Sequence, residues 1–161
     1  MKFQIMMKDR LKESKVRVTI VIKKTLKPVL KPYHKKALIL GTGGASKAIA
    51  YALKSLNIEY HFVSRNSSKK VSYTYQSLSE DDVKAHQIII NCTPLGTFPD
   101  INSCPNIPYK AITKQHILFD LIYNPEVTKF LNYGNKKSAT TINGYKMLEF
   151  QAEKSWRIWN K

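Results

Sequence analysis

Apolar residues in this chain gather into short unbroken runs, set between stretches of helical composition. Ala37 to Leu40, Ile88 to Ile90 and Ile117 to Phe119 are such runs. A strand buried on both faces, as in a parallel sheet, reads this way, whereas a strand with one wet face alternates. The pattern predicts strands over 37–40, 60–64, 87–91, 117–122 and 139–142, with a further strand over 71–75. Helices are expected over 45–56, around 79–85, near 126–133 and from about 146 to 159. Val16 to Ile22 alternates in part and predicts a strand; residues 23–30 predict a short helix interrupted by Pro28 and closed by Pro32. Residues 1–15 are polar and charged without a clear period. Strands alternating with helices predict an α/β fold, a Rossmann-like, doubly wound, mostly parallel sheet with flanking helices. One connection is short. Between Ser64 and Val71 there is no room for the crossover helix that parallel neighbours normally require. Either that crossover is compressed or 71–75 is not a parallel strand.

The first strand breaks into Gly41-Thr-Gly-Gly-Ala-Ser46. Gly41, Gly43 and Gly44 allow a tight turn and a close approach of backbone to a ligand. The helix beginning at Ala45 would aim its unpaired N–H groups and positive dipole end at that ligand, which suits a pyrophosphate. The spacing departs from G-x-G-x-x-G, since Ser46 stands where the last glycine would fall, and an ordinary strand-to-helix turn fits the same residues. The second strand ends in Ser64-Arg65-Asn66, followed by Lys69 and Lys70, with no acid between Glu59 and Glu80. An NAD site places an acid there for the ribose hydroxyls. A guanidinium with nearby amines instead suits a 2′-phosphate, so the pattern favours NADP over NAD. A solvated basic turn is the plainer alternative. Beyond the strand at 87–91, the Asn91 amide and the Thr93 hydroxyl stand where ribose or nicotinamide could be bound, and Gly96 allows close approach. Asp120, inside a buried strand, needs a hydrogen-bonding partner in backbone or a neighbouring helix. Asn143 and Gly144 are placed to cap the last helix. Met147, Leu148, Phe150, Ala152, Trp156 and Trp159 read mostly as its core-facing residues.

Five ordered blocks resemble the shikimate dehydrogenases: Gly41 to Ser46, Ser64 to Asn66, Asn91 to Gly96, Asp120 to Pro125, and Asn143 to Leu148 with Gln151-Ala152. The likeness runs from about Lys23 to the C-terminus. It implies the NADP-binding C-terminal half of an oxidoreductase that interconverts 3-dehydroshikimate and shikimate in aromatic amino-acid biosynthesis, the chorismate pathway. By resemblance, Gly41, Gly43, Gly44, Ala45, Ser64, Arg65, Asn66, Lys69, Thr93 and Gly144 face the cofactor, while Tyr123 and Gln151 face the substrate. In the family a lysine and an aspartate from the substrate domain handle the proton and the developing charge on oxygen. Neither motif occurs here, and the window for the aspartate reads Lys15-Val-Arg-Val-Thr-Ile20. No catalytic residue is therefore assigned, and the expectation is weak or absent turnover by this chain alone. The alternative is a non-catalytic NADP-binding module, or a truncated remnant, that docks a partner.

A length of 161 residues suits one domain with a sizeable core. The expected division is a basic head and lead-in over 1–36, then the NADP-binding domain over 37–161. The net charge of +16 is uneven, with twelve Lys or Arg against two acids in 1–36 and fifteen against nine in the rest. Basic segments bind phosphate backbones through counterion release, but without a nucleic-acid-binding motif in the folded part specific nucleic-acid binding is not expected. Cys92 and Cys104 form no disulfide framework and no metal-ligand spacing, so no metal site is expected. With no membrane span and no signal peptide, a cytoplasmic setting is expected. A cleft face without its covering domain makes self-association an expectation too.

Overall fold

The computed structural model describes residues 16–159. Residues 16–26 form helix α1, followed by a 3-10 turn at Lys27–Val29. Then come β1 (Lys36–Leu40), α2 (Gly44–Ser55), β2 (Glu59–Ser64), β3 (Tyr73–Thr74), α3 (Glu80–Ala85) and β4 (Ile88–Asn91). A 3-10 turn at Tyr109–Ala111 precedes β5 (Ile117–Asp120), α4 (Lys129–Lys136), β6 (Thr140–Ile142) and α5 (Tyr145–Trp159). The six strands make one sheet in the order β3-β2-β1-β4-β5-β6, every pair parallel. This is the doubly wound arrangement expected from the pattern, with the chain reversing direction across the sheet between β1 and β4.

Strand β1 shows why its run is unbroken. Ala37 and Ile39 face one layer with Ile49 and Leu53 of α2, while Leu38 and Leu40 face the other with Val83 of α3 and Phe130 of α4. Both faces are covered, so no polar position survives. Helix α3 opens on a capping box, in which Ser79 accepts from Asp82 N–H and the Asp82 carboxylate accepts from Ser79 N–H.

The strand expected over Val16 to Ile22 is instead part of α1. Thr19, Val21, Ile22, Thr25 and Leu26 are its buried residues, a spacing of three and four rather than two. The β-branched residues carry strand propensity, but packing against the sheet overrides it. Ile22 and Leu26 lie in the same core cluster as Ala37 and Ile39, so the packed body includes residues that precede β1. The question of the short crossover is resolved: Val63 pairs with Tyr73 and Ser64 with Thr74 in parallel register, and residues 65–72 between them contain no helix. The expectation for residues 1–15 lies outside the described residues.

Candidate functional site

Strands β1, β2 and β4 end side by side where the chain reverses direction across the sheet, and their loops enclose a cleft of about 350 Å³. From β1 come Gly41, Thr42 and Gly43; from the β2 end, Ser64 and Arg65; from the β4 end, Cys92, Thr93, Pro94 and Leu95. Tyr75, just after β3, completes the wall. The glycines differ in what they require. Gly41 has φ +101°, and a Cβ there would lie 3.2 Å from Thr93 Cγ2, so both backbone and packing exclude a side chain. Gly43 and Gly44 have no left-handed φ, and their Cβ positions look into open space. Nothing in the protein demands glycine at those two positions, whereas a ligand lying against the backbone would. Gly43 is the N-cap of α2, with no side-chain cap and no acid in the first turn. The Ser46 hydroxyl donates to Gly43 O at 2.6 Å and holds the turn in place.

Behind the β4 loop lies a buried polar network. The Asp120 carboxylate accepts from Thr128 Oγ1 at 2.6 Å, from Asn91 Nδ2 at 3.1 Å and from Ile122 N–H at 3.1 Å. Burial pushes this carboxyl upward, and the three donors oppose that shift. Its structural reading is correct, with backbone and the cap of α4 as its partners. The Asn91 amide is engaged within the protein. It is fully buried, its Nδ2 faces Asp120, and its Oδ1 accepts both N–H and Oγ1 of Thr93, at 3.0 and 2.6 Å. Thr93 lines the cleft, but its hydroxyl proton is held by Asn91. Burial also pushes the Cys92 thiol well up, so it stays protonated.

The cleft brings together five of the residues singled out in the sequence: Gly41, Gly43, Ser64, Arg65 and Thr93. Gly44 and Ala45 stand immediately beyond, at the start of α2. Asn66 and Lys69 are exposed on the turn after β2. Tyr123 is exposed after β5, and Gly144 is buried at the start of α5, neither of them in the cleft wall. A Cβ at Gly144 would collide with Leu121 O, so packing by itself already requires glycine here. Asn143 Oδ1 accepts from Tyr145 N–H at 3.2 Å, a cap at the start of α5. On α5, Met147 packs against the core, whereas Trp156 is 72% exposed and not the core residue expected. The side chains of Gln151 and Trp159 lie outside the described residues. Tyr75 was missed by sequence reasoning. Period two places Tyr73 and Tyr75 on one side, but no pattern shows which tyrosine reaches a cleft. The Tyr75 hydroxyl is the one buried side-chain N or O atom without a hydrogen-bond partner among the described residues. Burial raises its pKa to about 12, so it remains a donor. Among the described residues no group of three or more His, Cys, Asp or Glu could hold a metal ion, and no helix is long and apolar enough to cross a membrane.

Strand order and cleft together define a Rossmann-type α/β domain. More narrowly, the chain is a homologue of the cofactor-binding half of shikimate dehydrogenases. The shikimate dehydrogenase (NADP(+)) of Desulforamulus reducens is 32% identical over 146 residues, covering 80% of this chain and 50% of that protein. That of Methanococcus maripaludis is 40% identical over 138 residues, covering 78% of this chain and 49% of that protein. A crystal structure of a shikimate dehydrogenase in complex with NADP+ aligns with a TM-score of 0.69 at 27% identity, covering 89% of this chain and 55% of that one. The chain spans about half the length of the curated relatives it matches. No family model matches the chain.

Proposed function

We propose that residues 37–161, with α1 packed against them, form an NADP(H)-binding domain, serving in the cytoplasm in the interconversion of 3-dehydroshikimate and shikimate for aromatic amino-acid biosynthesis. The observation that carries this reading is the open space over Gly43 and Gly44, flanked by Arg65 across the cleft. The relatives named NADP(+) enzymes support it. The residues present fit the cofactor. N–H groups of Gly44 and Ala45, uncapped by any side chain, would meet the pyrophosphate at the positive end of α2. Arg65 would grip the 2′-phosphate with Lys69 beside it, and Ser64 and Asn66 would hold the ribose end. Gly41 keeps the backbone low beside Thr93. Gly144, Tyr123 and Gln151 would stand toward the nicotinamide and the substrate. When bound, the nicotinamide supplies the hydride. The lysine and aspartate motifs that handle the proton in the family do not occur in this sequence, so this chain alone is proposed to be weak or inactive.

A second reading is a non-catalytic NADP-binding module that docks a partner or a second copy of itself. Leu95, Phe98, Tyr123, Val127 and Tyr145 favour it, since all are exposed on or beside the loops that follow β4, β5 and β6. Calorimetric titration with NADPH and NADH tests the reading common to both. NADPH should bind about tenfold or more tighter than NADH. Arg65→Ala should cost about 1.5–3 kcal/mol of NADPH affinity and leave NADH nearly unchanged. Absence of binding heat for both nucleotides would rule the reading out.

A further inference from the structure

The compressed crossover has a spatial result. A parallel connection ordinarily carries a helix that covers the sheet face. With residues 65–72 free of helix, the face beside α2 stays open at Tyr60 and Phe62, both only partly buried. The outcome is a groove of about 380 Å³ between α2 and β2, within the size range of small-molecule sites. Its floor is aromatic, with the Tyr60 and Phe62 rings edge to face at 5.7 Å. Tyr51 of α2, 64% exposed, stands at its side. Lys47 and Lys54 of α2 and Lys70 of the crossover bring three amines to it, and among the described residues no acid lines it.

That absence of acid extends well beyond the groove. Residues 14–79 hold thirteen Lys or Arg and a single acid, Glu59, whose carboxylate lies 3.6 Å from Lys36 Nζ. A neutral apolar ligand would leave the three amines unused, and an anion without a ring would leave the aromatic floor uncovered. The groove is also short, bounded by one helix and one strand, which suits a single ring system rather than a polymer.

We propose that this groove binds a small planar aromatic anion, its ring laid on Tyr60 and Phe62 beside Tyr51 and its carboxylate, sulfonate or phosphate met by Lys47, Lys54 and Lys70. The site is distinct from the glycine-lined cleft. It shares Thr42 with that cleft, but Lys54 lies ten residues along α2 from Gly44, about 15 Å at the rise of a helix.

Fluorescence titration of the full chain with 1-anilinonaphthalene-8-sulfonate tests this. One saturable site is expected. Lys54→Glu and Tyr51→Ala should each weaken it by about tenfold, the former through charge and the latter through ring contact. Both positions are exposed, so both variants should keep the wild-type Tm. Saturating NADPH should not displace the dye, which separates this site from the proposed cofactor cleft. Equal dye binding by wild type and both variants would overturn the proposal, as would displacement by NADPH. Tighter binding of a single-stranded oligothymidylate than of the dye at about 0.15 M salt would also overturn it, in favour of a nucleic-acid surface.

Discussion

Two glycines in this chain look alike in sequence and have opposite surroundings. Gly43 has room for a Cβ and Gly144 has none. At Gly144 the obstacle is the Leu121 carbonyl, backbone that cannot turn aside, and Gly144 N–H donates to Ile122 O at 2.9 Å in the same contact. Gly144→Ala should therefore lower stability by about 3 kcal/mol or more, measured by urea unfolding, whether or not a nucleotide is present. A loss below about 1 kcal/mol would show that the start of α5 can shift away. By resemblance Gly144 faces the cofactor, and motif position by itself does not separate that role from the tight packing seen here. Arg65 was legible for a different reason. A charged residue directly after a buried strand, opposite glycines, has few places to go. Tyr75 was hidden because its interest lies in a missing partner, which only three-dimensional packing reveals.

At the scale of elements, the legible parts were those whose burial is two-sided. β1, β4 and β5 contain continuous apolar runs, and 37–40 of β1 and all of β4 and β5 are buried. α1 was misread because Val16, Val18, Ile20 and Ile22 favour strand locally, while its three-and-four spacing of buried positions emerges only against the sheet. The ends of α3 carry a testable consequence. His116 Nδ1 accepts from Thr113 N–H at 3.0 Å, so its Nε2–H donates to Val83 O at 3.0 Å. His86 donates from Nδ1 to Asp82 O, leaving its Nε2 to accept from His61 Nδ1 at 2.9 Å. In both rings the nitrogen that would take a second proton is already an acceptor. Burial, the largest cause, lowers both pKa values below the ordinary 6.5. The unfolded chain therefore takes up protons first as pH falls. Stability from these rings is full above about pH 6.5 and declines as pH drops toward their folded values. Tm should fall between about pH 7 and pH 5, and His116→Gln should make that fall shallower. An unchanged Tm over that range would show that the rings accept protons without loss of contact.

Considered whole, the molecule is lopsided in charge, and the sequence located that imbalance only in part. The excess was assigned to a head outside the fold, yet α1 carries Arg17, Lys23 and Lys24 while burying Ile22 and Leu26 in the main core. Charge counting cannot see which face of a helix is buried. The groove beside α2 was implicit in the short link after Ser64, but a gap in a pattern does not say which face it uncovers. The proposed reaction makes a further demand at this scale. A carbonyl reduced by hydride needs a proton donor, and the stretch Lys15 to Ile20 supplies no acid. Purified chain mixed with shikimate and NADP+ should give no absorbance change at the reduced-nicotinamide band. A steady rate would show that the chain contains a proton-handling group of its own.

The two outermost strands are brief: β3 has two residues and β6 has three. Each border of the sheet thus offers only a few backbone groups for a foreign strand to pair with. Crowded copies of this domain gain little from ribbon-like stacking, and any meeting between them has to be made through side chains.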